Sequence, residues 1–66
     1  MVLTVNGERT ETNSDRIPAL LSEMGHDDAG FVAVAVNREV VRRARWAELA
    51  LSDGDEVEIV TPRQGG

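Results

Sequence analysis

The order of apolar and polar residues at the start of the chain predicts a β-hairpin. Residues 2–5 are β-prone, and the Asn6-Gly7 pair after them is the strongest short signal for a two-residue hairpin turn. Residues 8–12 are predicted to return as a weak second strand. Their charged side chains fit an edge position, since charges discourage pairing with another chain.

A helical period follows the hairpin. Four apolar residues recur with the spacing of one helix face: Ile17, Leu20, Leu21 and Met24. Residues 13–15 are suitable helix caps, and Pro18 fits in the first turn, where its missing N–H has no intrahelical partner. We therefore expect the helix to begin near Asp15 or Arg16 and to end at Gly25. A helix of about ten residues is marginal alone, so it must pack against a sheet.

The second half of the chain predicts further strands around an irregular connection. Residues 31–36 are continuously apolar and rich in valine, which is typical of a central strand. Residues 37–39 predict a turn, and residues 40–41 begin a short return strand. Residues 45–51 are interpreted as a helical turn or an irregular crossover. Trp46 either anchors this crossover in the core, which we favour, or lies in a partner interface.

The last strand is predicted over residues 56–61, between a turn in which Gly54 supplies a positive φ and Pro62, which ends the strand. Its alternation gives two faces, with Val57 and Ile59 on one and Glu58 and Val60 on the other.

These elements predict an α+β fold, a mixed sheet of four to five strands with one helix packed across one face. We divide the chain into a domain at residues 1–61 and a flexible tail at residues 62–66. The predicted core consists of Leu3, Val5, Ile17, Leu20, Leu21, Val32, Val34, Val57 and Ile59.

Composition narrows the class of protein. The chain has 66 residues, no cysteine and a formal net charge of −5. Without cysteine there is no disulfide, thiolate metal site or cysteine nucleophile. An acidic chain is a poor partner for nucleic acid and suits a basic groove on another protein. No apolar run is long enough to span a membrane, and the N-terminus does not resemble a secretory signal, so we expect a cytoplasmic protein, monomeric when free.

Few side chains in this sequence are candidates for catalysis or metal binding. His26 has no evident nucleophile or carboxylate partner, and we interpret it as an exposed loop residue. Residues 53–56 are acidic but lack the ligand spacing of a calcium loop, so we interpret them as a β-turn. Four arginines lie close together and form either a docking patch for an acidic partner or a solvated rim: Arg38, Arg42, Arg43 and Arg45. The sequence predicts no catalytic residue and no metal site.

The tail is the segment of the chain that is best suited to take part in a chemical reaction. It ends in Gly65-Gly66, and residues without a Cβ allow a backbone to enter a narrow channel. A terminal carboxylate is a poor electrophile, so a partner enzyme would first convert it to a mixed anhydride, typically an adenylate. Five residues after Thr61 reach about 16 Å from the sheet, at about 3.3 Å per residue.

The chain resembles the ThiS family of thiamine-biosynthesis sulfur carriers over nearly its whole length. The segments that support this resemblance are residues 32–37, Glu39-Val40-Val41 with Arg42-Arg43, Trp46, residues 53–60 and the closing Gly65-Gly66. The resemblance implies the ubiquitin-like β-grasp fold, which agrees with the predicted order of elements.

The resemblance also implies a function. The carboxylate of Gly66 is expected to be adenylated by a ThiF-like activating enzyme, which uses ATP and magnesium, and the carrier itself is not an enzyme and binds no cofactor. Sulfur from a cysteine desulfurase relay would then replace AMP and give a thiocarboxylate. A ThiG-like thiazole synthase would take this sulfur to build the thiazole of thiamine.

Partner contacts are implied in two places. The tail residues expected to thread into the partner are Arg63, Gln64 and Gly65, which precede Gly66. The sheet face around Phe31 and Val60 is expected to meet the partner enzymes.

Other functions fit the same features. The small subunit of molybdopterin synthase and other β-grasp sulfur carriers have the same tail. A ubiquitin-like modifier would form isopeptide bonds through Gly66, and a non-covalent β-grasp adaptor would not depend on the two glycines.

Overall fold

The computed structural model of the protein describes residues 1–26 and 32–61. Within them the chain forms five strands, one α-helix and one 3-10 helix. The strands are β1 (Val2–Val5), β2 (Glu8–Glu11), β3 (Ala33–Val36), β4 (Glu39–Val41) and β5 (Glu56–Val60), the α-helix is α1 (Ile17–Glu23), and the 3-10 helix spans Arg43–Arg45. The predicted tail at residues 62–66 lies outside the described residues.

The strands form one mixed sheet in the order β2-β1-β5-β3-β4. β1 and β5 are parallel, and the other neighbouring pairs are antiparallel. The predicted fold class is confirmed, as is the edge position of β2. The prediction of a central strand within residues 31–36 is confirmed for Ala33–Val36, because β3 has a neighbouring strand on each side, and the middle position of the sheet belongs to β5. The parallel pairing of β1 with β5 places the last strand in the centre, and β3 lies beside it.

The core lies between the sheet and α1. Of the predicted core residues only Val32 is not fully buried, because it precedes β3 and packs at the margin. Trp46 is buried, as predicted, and two residues join the core that the pattern did not indicate, Val36 and Leu51. The buried apolar residues are Leu3, Val5, Ile17, Leu20, Leu21, Val34, Val36, Trp46, Leu51, Val57 and Ile59.

The start of α1 differs from the expected capping arrangement. The N-cap residue is Arg16, and no side chain caps the helix. Pro18 lies in the first turn, as predicted. The hydroxyls of Thr12 and Ser14 instead donate hydrogen bonds to Oε1 of Glu23, in the last turn of the helix. This carboxylate therefore ties the connection after β2 to the end of α1.

The end of α1 follows the predicted glycine cap. Gly25 has a φ of 90°, and its N–H donates to the carbonyl of Ser22 at 3.1 Å. The N–H of His26 donates to the carbonyl of Leu21 at 2.7 Å, which completes a Schellman motif. Met24 was expected on the buried face, but it is 39% exposed because it is the C-cap residue and has left helical geometry.

The crossover from β4 to β5 begins with the 3-10 helix at Arg43–Arg45, two residues before the helical turn or irregular crossover predicted over residues 45–51. Nε1 of Trp46 donates a hydrogen bond to the carbonyl of Val41 at 2.9 Å. The N–H of Leu51 donates to the carbonyl of Asp15 at 2.9 Å. These two bonds attach the crossover to the edge strand and to the segment before α1.

Candidate functional site

The last strand, β5, is anchored in the sheet and in the core as far as the residues that precede the predicted tail. β5 lies between β1 and β3, with Val57 and Ile59 buried in the core. Oδ1 of Asn6 accepts a hydrogen bond from the N–H of Ile59 at 2.8 Å, near the end of the strand. The strand that precedes the predicted tail therefore has a fixed position in the sheet.

An apolar surface lies on the outer face of the sheet, opposite α1. Val60 pairs with Ala33, and Val40 pairs with Ala35, so these residues share one face of β5, β3 and β4. We call this surface the outer-face patch, composed of Ala33, Ala35, Val40 and Val60. Val60 is 60% exposed and Val40 is 76% exposed. The two valines lie on opposite sides of β3, and Glu58, which pairs with Ala35, shares their face. Exposed apolar side chains on a sheet face are suited to contact with another protein.

Of the predicted site residues, the structure describes only Val60. Val60 is exposed on the outer face, and its predicted contact with partner enzymes stays a prediction. Phe31 and the tail residues Arg63, Gln64, Gly65 and Gly66 lie outside the described residues. Their predicted roles stay predictions.

Three members of the outer-face patch were missed by sequence reasoning. Residues 31–36 are apolar at every position, so the pattern alone does not tell which set faces outward. The turn does not decide this, because a two-residue loop at Asn37-Arg38 pairs Val36 with Glu39 and Ala35 with Val40 but leaves open which pair faces the core. Since Val36 is buried, Ala35 and Val40 must face the other side.

The acidic turn before β5 is built into the fold. Oδ1 of Asp53 accepts a hydrogen bond from the N–H of Val2 at 2.6 Å. Asp55 accepts one from the N–H of Ser52 at 2.9 Å and one from Nδ2 of Asn37 at 3.2 Å. Gly54 has a φ of 91°, as predicted for this turn. These carboxylates stabilise the turn at the start of the strand that leads to the tail.

The described residues contain neither a metal-binding cluster nor a membrane-spanning helix. No group of three or more His, Cys, Asp or Glu side chains in residues 1–26 and 32–61 could hold a metal ion. In the same part of the chain, no helix is long and apolar enough to cross a membrane.

The fold and the outer face define the class of the protein, a ubiquitin-like β-grasp domain. The crystal structure of the thiamine biosynthesis protein ThiS from Geobacter metallireducens matches it with a TM-score of 0.83 and 33% sequence identity, covering 100% of both chains. The NMR solution structure of a thiamine biosynthesis protein from the same organism matches with a TM-score of 0.81 and 33% identity, covering 100% of this chain and 88% of that one.

The chain belongs to the ThiS family, which it matches over residues 3–66. A thiazole synthase from Paramagnetospirillum magneticum is 43% identical over 67 residues. That match covers 100% of this chain and 20% of the synthase, so the chain spans a fifth of the length of this relative.

Proposed function

We propose that this ThiS-family protein is a sulfur carrier for thiamine biosynthesis that works through Gly66 as a free C-terminal carboxylate. The observation that supports this best is the family match, which extends to residue 66 and so includes Gly65-Gly66. The β-grasp domain supplies a rigid head for recognition, and the tail supplies reach. The carrier is a protein substrate of its partner enzymes and performs no catalysis itself.

The proposed chemistry has two steps, both on the Gly66 carboxyl group. A carboxylate oxygen attacks the α-phosphorus of ATP, pyrophosphate leaves, and an acyl adenylate remains. A sulfur nucleophile from a cysteine desulfurase relay then attacks the acyl carbon and displaces AMP. If the sulfur arrives as a persulfide, a thiol reductant releases the thiocarboxylate. ATP and its magnesium belong to the activating enzyme.

The proposed acceptor of the sulfur is a thiazole synthase. A segment similar to this chain lies within a protein named thiazole synthase, and proteins joined in one relative commonly act together. The outer-face patch is proposed to contact the partner enzymes, because it lies beside the end of β5, where the predicted tail begins. A partner that covers Val60 and Ala33 is therefore placed to receive the residues that follow Thr61.

The absence of cysteine makes the proposal directly testable. The protein is incubated with ATP, magnesium, a cysteine desulfurase, a thiol reductant and the activating enzyme from the same cells. After removal of small thiols, it is treated with a thiol-alkylating reagent, and intact and C-terminal-peptide masses are recorded. A matched control lacks Gly66 and ends at Gly65.

An alkyl adduct on the C-terminal peptide, dependent on ATP and absent from the shortened control, is the expected result. No side-chain thiol exists to mimic it. A tail that stays unmodified with an activating enzyme known to turn over ATP would contradict the proposal. An isopeptide bond between Gly66 and a target lysine would instead identify a protein modifier.

A further inference from the structure

The two β-hairpins of the sheet form the same kind of turn with different residues. Each has a two-residue loop, because Val5 pairs with Glu8 and Val36 pairs with Glu39. Each has positive φ at both central residues, as a type I′ turn requires. The values are 51° and 84° at Asn6-Gly7, and 52° and 71° at Asn37-Arg38.

Arg38 occupies a position that favours glycine. A positive φ brings the Cβ of an L-residue close to the following carbonyl oxygen, and only glycine, with asparagine and aspartate to a lesser degree, adopts it readily. The first hairpin avoids this strain with Gly7. The second accepts it at Arg38, although the Arg38 side chain makes no hydrogen bond or ion pair with any described residue and is exposed. The contacts within the described fold therefore do not explain an arginine here.

Arg38 belongs to a short segment that is positively charged, although the chain as a whole is acidic. Residues 38–45 contain four arginines and one glutamate in a chain with a net charge of −5. Two of these arginines have partners within the crossover. The guanidinium of Arg43 lies 5.2 Å from the centre of the Trp46 ring, and Nε of Arg45 lies 3.4 Å from a carboxylate oxygen of Glu48. Arg38, at the tip of the hairpin, has no such structural role in the described residues.

We propose that Arg38 is a recognition residue that binds a carboxylate on the enzyme that activates Gly66. Strained backbone conformations cluster at functional sites, where they lower stability but serve binding. Arg38 is strained and has no partner among the described residues, which is consistent with a role in binding. Guanidinium groups suit carboxylates, which they can bind with two parallel hydrogen bonds. This inference rests on the proposed function, because it names the activating enzyme as the partner.

The position of Arg38 is compatible with the same interface as the outer-face patch. β3 and β5 are antiparallel, with Ala33 opposite Val60 and Val36 opposite Val57, so the hairpin tip lies at the end of the sheet away from the tail. The separation along the strands is about 13–16 Å at about 3.3 Å per residue. This lies within a protein interface of standard size, which buries about 800 Å² on each partner. Arg38 would then be a charge on the rim.

Under the proposed function the activating enzyme is the first partner to bind the carrier, because Gly66 must be adenylated before sulfur can be transferred. An activating enzyme on a separate chain must be met by diffusion, and charges on the rim of an interface raise the rate of productive encounter.

The test exchanges the residues of the two hairpins. Arg38→Gly removes the guanidinium group and the backbone strain of the second hairpin. At Gly7 an added Cβ would meet no atom within 4 Å, so an arginine at position 7 has space for its side chain but is strained by the positive φ. The double variant Gly7→Arg/Arg38→Gly keeps the composition and net charge and moves the arginine to the other hairpin. Arg9→Gln, on the exposed edge strand β2, controls for the loss of one positive charge.

The measurements are the melting temperature and the kinetics of ATP-dependent activation at low and high salt. Arg38→Gly is expected to melt about 3–6 °C higher than wild type. Its kcat/KM should fall about 2- to 5-fold at low salt with kcat unchanged, and the difference should vanish near 1 M salt. The double variant should keep the kinetic loss without the gain in melting temperature, and Arg9→Gln should be activated like wild type.

Three results would overturn the inference. They are an Arg38→Gly protein that melts no higher than wild type, one that is activated like wild type at low salt, or an equal kinetic loss in Arg9→Gln. Activation of wild type with an unaffected Arg38→Gly would overturn this inference and leave the proposed function standing. A wild-type chain that the activating enzyme does not modify at all would overturn both.

Discussion

The side chain of Asn6 and the backbone of Ile59 are joined across 53 positions of sequence. Oδ1 of Asn6 accepts the N–H of Ile59 at 2.8 Å, and the N–H of Asn6 donates to the carbonyl of Val57 at 2.9 Å. The turn of the first hairpin thereby fastens the last strand close to where the tail begins. Asn37 repeats this arrangement, since its Oδ1 accepts the N–H of Glu56 at 3.0 Å.

Replacing Asn6 should weaken the domain in two separable ways. Asn6→Ala removes the acceptor for the N–H of Ile59 and also places an alanine at a positive φ, which alanine adopts poorly. Together these effects should lower the free energy of unfolding by about 2–4 kcal/mol. Asn6→Gly removes only the acceptor and should cost about 1–2 kcal/mol. Asn6→Asp keeps the acceptor and should stay within about 1 kcal/mol of wild type. Urea unfolding followed by circular dichroism measures all three, and equal stability of Asn6→Gly and wild type would show that the hydrogen bond contributes nothing.

Val60 should matter for partner binding far more than for folding. Val60→Asp places a carboxylate on the outer-face patch, where a partner would have to desolvate it. The free energy of unfolding should fall by no more than about 1 kcal/mol, the range of strand propensities. The kcat/KM of ATP-dependent activation should fall tenfold or more, which corresponds to about 1.4 kcal/mol of lost binding.

The matched control for Val60→Asp is Ala19→Asp, an equal charge on the exposed side of α1, across the sheet from the patch. It should be activated like wild type. If both variants lose activity equally, added charge explains the effect. If Val60→Asp retains full activity, the patch does not contact the activating enzyme.

Trp46 should be a main anchor of the crossover. It is 6% exposed, and its indole N–H binds the carbonyl of Val41. Trp46→Phe leaves that carbonyl without its donor and should cost about 1–3 kcal/mol, whereas Trp46→Ala also leaves a cavity and should cost about 3–5 kcal/mol.

Because Trp46 is the one tryptophan of the sequence, these variants are best followed by far-ultraviolet circular dichroism. Arg43→Gln provides a control for the stacked guanidinium, which should contribute no more than about 1 kcal/mol at this exposed site. A Trp46→Ala protein as stable as wild type would mean that the crossover does not depend on this side chain.

Stability on the acid side should depend on Glu23. Hydrogen bonds from the hydroxyls of Thr12 and Ser14 hold the pKa of this carboxyl below its ordinary value. A lowered pKa in the folded state means that the ionised form contributes stability above the ordinary pKa, and that this contribution is lost as the pH falls through the lowered value.

Melting curves from pH 7 to pH 2 for wild type and Glu23→Gln test this dependence. Wild type should melt higher than the variant near neutral pH, and the gap should close below about pH 4.5 as Glu23 becomes protonated. Glu11→Gln, an equal change of charge on the exposed strand β2, should not reproduce the pattern. A gap between wild type and Glu23→Gln that persists unchanged to the lowest pH would contradict the assignment.

Local features of the sequence determined the identity of most elements. The Asn6-Gly7 turn, the first-turn position of Pro18 and the glycine cap at Gly25 each depend on the backbone preferences of one or two residues, which act wherever the segment lies. The alternation in β5 likewise places Val57 and Ile59 inside and Val60 outside, because side chains of a strand alternate between its faces.

Only the tertiary structure decided which segments meet. Parallel pairing of β1 with β5 puts the last strand in the middle of the sheet, and pairing of β3 with β4 brings Ala35 and Val40 into one exposed patch. Thr12 and Ser14 bind Glu23 instead of capping α1, because the fold brings the far end of the helix within their reach. These outcomes depend on contacts between residues distant in sequence, whose free energy is shared over the whole core and is not contained in any one segment.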